Sequence, residues 1–268
     1  MCAVGLDQDG FIEREGALAR VPQVFAPVVD AAAAAIRDTF GHDRLHSAYL
    51  YGSIPRGTAV PGVSDLDLLL VLHQEPASAD RSSAASLEDA LGAQFPQIIG
   101  AGIGLVSTAA VLSDLERHDL GWFVACLCTP LIGADLATQL PRYRPTRLLA
   151  RETNGDLGDL LPRWRDRLNE ASTVADRQAL SRGVARRLVR TGFTLVMPRW
   201  GGWTSDLSES SAAFGLYYPA RREQMRVAAA VARARTADVS VLRMLIYDLG
   251  PWLASEYLAV HGKKTARG

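Results

Sequence analysis

The sequence runs to 268 residues, 48% of them hydrophobic, with 29 basic side chains balancing 29 acidic ones. That is enough for one large domain or two of ordinary size around a substantial core. No apolar run reaches membrane-spanning length and the N-terminus lacks the basic-then-apolar form of a signal peptide, so no membrane partner and a soluble, cytoplasmic protein are expected. Cys2, Cys126 and Cys128 are too few and too poorly spaced for a disulfide framework. With no His or Cys cluster beside them a zinc site is not expected, and Cys126 and Cys128 are expected as buried thiols.

In chain order, residues 1–22 show little periodicity and are expected as a loose lead-in, followed by an alanine-rich helix from Val24 to Thr39 that stops near Gly41. Leu45 to Tyr51 predicts a strand, Ile54 to Ser64 a loop rich in Pro and Gly, and Asp65 to Leu72 a second strand. Ser82 to Ala93 has helical spacing, and Ile98 to Ser107 a strand pattern weakened by three glycines. Ala110 to Arg117 predicts a helix, and Trp122 to Cys128 a strand or helix. Pro141-Arg142-Tyr143-Arg144-Pro145 marks a domain boundary, giving an α/β (α+β) domain over 1–141 with a small mixed sheet and an all-helical domain over 142–268. The helices of the second are expected at 146–153, 156–170, 174–196, 206–216, 220–235 and 238–260.

The chemistry-bearing stretch is Tyr49-Leu50-Tyr51-Gly52-Ser53-Ile54-Pro55-Arg56-Gly57, followed by Ser64-Asp65-Leu66-Asp67 and an apolar run to Leu72. Alternate residues of a strand share a face, so Asp65 and Asp67 point the same way from its end. Two convergent carboxylates suit a hard cation such as Mg2+. Gly52 lets a phosphate approach the backbone, and Ser53 offers a hydroxyl and an amide. Metal ligands beside a phosphate cradle are the parts of phosphoryl or nucleotidyl transfer. The plain alternative is a surface turn followed by a strand with a solvated acidic end; it sits badly with a strand otherwise built for the core.

The Gly52-Ser53 and Asp65-Leu66-Asp67 pattern, with eleven residues between Ser53 and Asp65, resembles the nucleotidyltransferase superfamily with the DNA polymerase beta fold. It is most similar to the bacterial aminoglycoside adenylyltransferases that act on streptomycin or spectinomycin. Pro130–Leu136 resembles the segment closing that family's catalytic domain, and Ala185–Phe193 a helix of its C-terminal domain. The resemblance implies Asp65 and Asp67 as catalytic metal ligands, and Gly52 and Ser53 as nucleotide-binding residues. It also implies a basic residue on the C-terminal helix that reaches the triphosphate, for which Arg186 and Arg187 are the candidates. Arg56, three residues after Ser53 in the glycine-containing loop, is a further candidate by its position; the alternative for it is an exposed loop arginine. A third carboxylate is implied on the next strand, yet Ile98–Ser107 contains no acid. Gly104 stands where alternation expects the inward side chain, which leaves the general base unassigned.

The neutral total hides an asymmetry. Residues 1–140 carry 7 basic and 17 acidic side chains and residues 141–268 carry 22 and 12, about −10 and +10. Lysine occurs only at Lys263 and Lys264, so any cation inside the fold must be arginine. An acidic, metal-binding half and an arginine-rich half suit a metal-bound triphosphate, and equally suit two domains held by complementary charge. Arg182, Arg186 and Arg190 recur every four residues on one helix face. No nucleic-acid fold signature accompanies them, which argues against a nucleic-acid partner. In Arg199–Leu207, Thr204, Ser205 or Asp206 is expected as a helix cap; the alternative for Asp206 is a cationic acceptor. Together these features predict transfer of a nucleoside monophosphate, AMP from ATP, onto an acceptor hydroxyl, with a small antibiotic-like molecule favoured by resemblance. The alternatives are a nucleotide-binding regulatory protein without catalysis, a toxin-type enzyme acting on tRNA or protein, and an antitoxin or structural partner.

Overall fold

The computed structural model describes residues 4–267, so Cys2 lies outside the described residues. Two compact units emerge: Glu13–Tyr143, and the segment ending at Ile12 together with the chain from Arg144 onward.

In the first unit α1 (Ala26–Arg44) begins with a proline in its first turn and buries Val28, Val29, Ala32, Ala33, Ile36 and Phe40. Gly41, with φ 59°, breaks the helical geometry where the sequence signals a stop, and one further turn leads into β1 (Leu45–Tyr51). A one-turn helix, α2 (Ser53–Arg56), occupies the start of the expected loop. Then come β2 (Leu66–Leu72), α3 (Ser78–Gln94), β3 (Ala101–Ser107), α4 (Thr108–Leu112), α5 (Trp122–Leu127) and β4 (Thr129–Gly133). The sheet order is β3-β2-β1-β4. β2 and β3 run parallel with α3 as their crossover, and the other pairings are antiparallel.

Period-two burial divides the core. Leu50, Leu66, Leu68, Leu70 and Leu72 pack with Val28, Ile36, Ala84 and Leu91 in one cluster. Tyr49, Leu69 and Val71 pack with Val111, Val124, Cys128 and Leu136 in the other. Burial pushes the Cys126 thiol up to about 12 and that of Cys128 well above the usual range. Both stay protonated and act as small apolar side chains. Glu88 of α3 accepts the Ile103 N–H at 2.5 Å, so a carboxylate covers part of the outer edge of β3.

Three expectations are corrected. The lead-in is ordered along much of its length: Arg14 binds Asp135 through both terminal nitrogens (2.8 and 3.2 Å), the Glu15 N–H reaches the Cys126 carbonyl and the Ala17 N–H the Pro55 carbonyl. These are tertiary contacts, which leave no local period to read. The helix expected over Ala110 to Arg117 ends at Leu112. β4 has no counterpart in the sequence pattern, because it is five residues long and contains Pro130, which an edge strand tolerates.

The helical unit comprises α6 (Arg147–Asn154), α7 (Leu157–Glu170), α8 (Val174–Trp200), α9 (Leu207–Tyr217), α10 (Arg222–Arg233), α11 (Val239–Arg243) and α12 (Gly250–His261). Thr173 and Asp176 form a reciprocal capping box at the start of α8, and Gly201 with φ 73° ends it. The run expected as one helix over 238–260 passes through a π-helical stretch, Met244–Leu249, just before Gly250-Pro251. Proline offers no N–H to a regular ladder and the hydrogen bonding shifts around it. The core holds a polar knot: Asn154 donates to Thr194 Oγ1 (3.0 Å), and Tyr257 OH lies 3.1 Å from the same oxygen and donates to the Ala150 carbonyl.

The chain beyond α12 is fastened by charge. Buried Glu152 accepts from Arg151 Nε (2.8 Å), Thr265 N (3.2 Å) and Arg267 Nη1 (3.2 Å). Burial opposes its charge, but these donors outweigh it and hold the carboxyl below its ordinary range. Lys263 pairs with Asp159 at 3.1 Å and Lys264 with Asp156 at 3.8 Å.

Tyr257→Phe removes the hydroxyl that joins α12 to α6 and α8, leaving buried acceptors short of a donor. Chemical denaturation should show a loss of about 1–3 kcal/mol with an unchanged m-value.

Candidate active site

β1 ends where β2 begins. Tyr51 is in register with Asp67, and Asp67 in turn with Gly102 of β3. At Gly52 the chain turns away with φ 84° and ψ −151°, a conformation open to glycine. A Cβ on Gly52 would stand 2.5 Å from Asp67 Oδ2, so the backbone lies directly against that carboxylate. On the other side a Cβ on Gly102 would lie 3.9 Å from Asp67 Oδ1, in ordinary contact. Asp67 is therefore a half-buried carboxylate flanked by two glycine backbones.

Asp65 is also half-buried and immediately precedes β2. Its neighbours hold it in place: the Leu66 N–H donates to the Gly100 carbonyl (2.9 Å), and the Ile99 N–H to the Ser64 carbonyl (3.1 Å). Ser64 Oγ accepts the Val60 N–H at 2.9 Å and so supports the turn. Ser53 opens α2, and its carbonyl accepts the Thr58 N–H at 3.0 Å. Gly57, with φ 76°, closes that turn. Arg56 stands at its last position with Nη1 3.4 Å from Glu15 Oε2, both side chains largely buried. Tyr51 meets Phe123 edge to face at 5.0 Å, and these rings pack against the cluster that holds Leu69, on the Asp67 side of the sheet.

Gly52, Ser53, Arg56, Asp65 and Asp67 thus gather at one end of the β1–β2 pair. Among the described residues no group of three or more His, Cys, Asp or Glu could hold a metal. Two carboxylates remain a fitting donor set for a magnesium ion whose other ligands are water and phosphate oxygens.

No family model matches the sequence, and no curated protein matches it. The structure is similar to the crystal structure of spectinomycin adenyltransferase AAD(9) from Enterococcus faecialis with ATP and spectinomycin. The match covers 86% of this chain and 98% of that one, with a TM-score of 0.53 and 13% identity. The fold is a nucleotidyltransferase fold.

Within that nucleotidyltransferase fold, Gly102 faces Asp67, two residues before the Gly104 expected from alternation; Gly104 is in register with Leu69. The register comes from the backbone bonds joining residues 64–66 to residues 99–100, which sequence periodicity does not encode. Of the acids flanking β3, Glu88 serves the Ile103 N–H and Asp114 pairs with Arg117. Arg186 and Arg187 belong to the helical unit and are half-buried on α8. Arg187 is ion-paired with Asp156, which Lys264 also approaches. Asp206 caps α9, its Oδ1 accepting from Ser208 N (2.8 Å) and Glu209 N (2.9 Å), and Trp203 is buried against Phe193.

Sequence reasoning missed Gly102 and Glu15. The acid partner that half-buried Arg56 requires was the one available signal for Glu15.

Gly52→Ala forces a methyl into Asp67 and a side chain into the left-handed region, whereas Gly102→Ala adds an ordinary contact. Thermal melts should show Gly52→Ala the less stable of the two by roughly 1–3 kcal/mol.

Proposed function

We propose that this chain is a magnesium-dependent nucleotidyltransferase that moves a nucleoside monophosphate, AMP from ATP, onto an acceptor hydroxyl and releases pyrophosphate. The observation that carries the proposal is Asp67, seated between the Gly52 and Gly102 backbones, with Asp65 two residues upstream at the mouth of β2. The similar protein was crystallised with ATP and spectinomycin, which favours ATP and a small-molecule acceptor here.

Asp65 and Asp67 would hold Mg2+, and the ion when bound would neutralise charge on the phosphates. Ser53 and the Gly52 backbone bind the triphosphate. Arg56, oriented by Glu15, adds positive charge to the same loop. The acceptor hydroxyl oxygen bonds to the α-phosphorus as the bond to the β-phosphate breaks; pyrophosphate leaves and the hydroxyl proton passes to solvent water. Positioning and charge neutralisation supply much of the acceleration in such a transfer.

Gly102 opposite Asp67 favours a second reading, a nucleotide-binding protein without turnover. Pyrophosphate release from ATP and magnesium, measured with candidate acceptors, separates the two. Nucleotide binding with no release selects the second.

Asp65→Ala and Asp67→Ala should each lower transfer by at least a hundredfold while the protein still folds, since each removes half of the protein's metal ligands. Wild-type ATP affinity should drop sharply in excess chelator, where two carboxylates face a bare triphosphate. Rates near wild type in either variant, or chelator-independent binding, count against the assignment.

Arg186 or Arg187 of α8 is proposed to contribute to ATP affinity. Replacing the contributing arginine by alanine should weaken magnesium-ATP binding roughly ten- to a hundredfold, with lysine rescuing only partly. Calorimetry on both alanine variants decides; two wild-type affinities would assign these arginines to structure alone.

A further inference from the structure

The helical unit contains a groove of about 780 Å3, walled by Pro145 and Leu148 at the start of α6, Leu195 and Pro198 on α8, and Ala259 on α12. A groove of this size accommodates a small organic molecule.

Arg147 and Arg199 line it as well. The Arg147 guanidinium donates to the Val260 carbonyl. That of Arg199 donates to Tyr218 OH at 3.3 Å and lies 4.7 Å from the Tyr217 ring centroid. Each spends one of its five donors on the protein, and neither has an ion-paired carboxylate among the described residues. The amino end of α6, capped by Thr146 Oγ1 accepting the Leu149 N–H at 3.2 Å, opens onto the same space.

The remaining polar wall is His261, only 9% exposed. Its Nε2 lies 2.9 Å from the Leu195 carbonyl, and a carbonyl only accepts, so the proton sits on Nε2. Nδ1 keeps a lone pair and has no hydrogen-bond partner among the described residues. Burial holds the imidazole below its ordinary range; the Leu195 bond pulls the other way, and Arg147 and Arg199 add to the lowering.

Two guanidiniums with no direct carboxylate partner among the described residues, Arg199 reaching Glu256 only through the Tyr218 hydroxyl (2.9 Å), and a helix amino end set against apolar walls match an anion with an apolar body. We propose that this groove binds a small organic anion, an aromatic or aliphatic body bearing one phosphate or carboxylate. Arg147 and Arg199 take its charge, and Leu148, Pro198 and Ala259 pack its body. Its lining residues all belong to the helical unit, and none to the unit that carries Asp65 and Asp67.

The test is calorimetry at low salt with phenyl phosphate and benzoate, and with benzyl alcohol as a neutral twin. At least one anion should bind one-to-one, and the preferred anion separates phosphate from carboxylate. Benzyl alcohol should not bind. Arg147→Gln and Arg199→Gln should each weaken binding roughly ten- to a hundredfold, with unfolding midpoints near wild type. A second measurement needs no variant. The charged groups facing His261 are Arg147 from α6 and Arg199 from α8, with the Tyr257 ring beside it on its own helix. An anion that neutralises the two arginines must raise the His261 titration midpoint, read by NMR of the imidazole. The proposal is overturned if neither anion binds, if benzyl alcohol binds as well, if both Gln variants bind as tightly as wild type, or if the His261 midpoint stays put.

Discussion

One close approach organises the first unit: the Gly52 backbone lying on the Asp67 carboxylate. It requires a residue with no side chain and a positive φ at the end of β1. It requires β1 and β2 to be antiparallel in the register that sets Tyr51 beside Asp67. It also commits the chain to turn at once, so that Ser53 opens α2 and Arg56 ends it beside Glu15. The same contact that shapes the backbone would hold a phosphate cradle next to a metal ligand. Geometry of this kind fixes a carboxylate before any ligand arrives, which is the preorganisation the proposed transfer would draw on.

How much of this was legible in the sequence follows from how local each determinant is. β1 and β2 stood out because each contains an apolar run, Ala48–Tyr51 in β1 and Leu68–Leu72 in β2, with glycine and proline close by. β4 did not, because Pro130 on a five-residue edge strand gives no strand signal. Gly52, Ser53, Asp65 and Asp67 were visible as a spaced motif. Gly102 was not, because the β2–β3 register depends on a crossover helix and on backbone bonds to residues 99–100. The Arg56–Glu15 and Arg187–Asp156 pairs link residues 41 and 31 positions apart, beyond the reach of any periodicity. Side-chain partners of this kind are where a motif is silent, and they decide which charges are available to a ligand.

The two units handle charge differently. In the first, Arg14 and Arg44 are tied to Asp135 and Asp80, so these guanidiniums work as struts. In the second, several arginines pair within the unit, yet Arg147 and Arg199 rest on a carbonyl and on tyrosine rings. An arginine held by neutral groups is positioned without being neutralised, and its field remains for an incoming anion.

Every ε-amino group of this protein sits on the segment after α12, where Lys263 and Lys264 meet Asp159 and Asp156. Reagents that acylate lysine therefore meet one exposed side chain, Lys263, with the largely buried Lys264 beside it, in a sequence of 268 residues. Acylation there erases the positive charge that meets those carboxylates, and leaves the Glu152 bonds to Thr265 and Arg267 to hold the segment. Apart from the α-amino group, amine chemistry on this molecule is in effect site-directed labelling of its C-terminal strap.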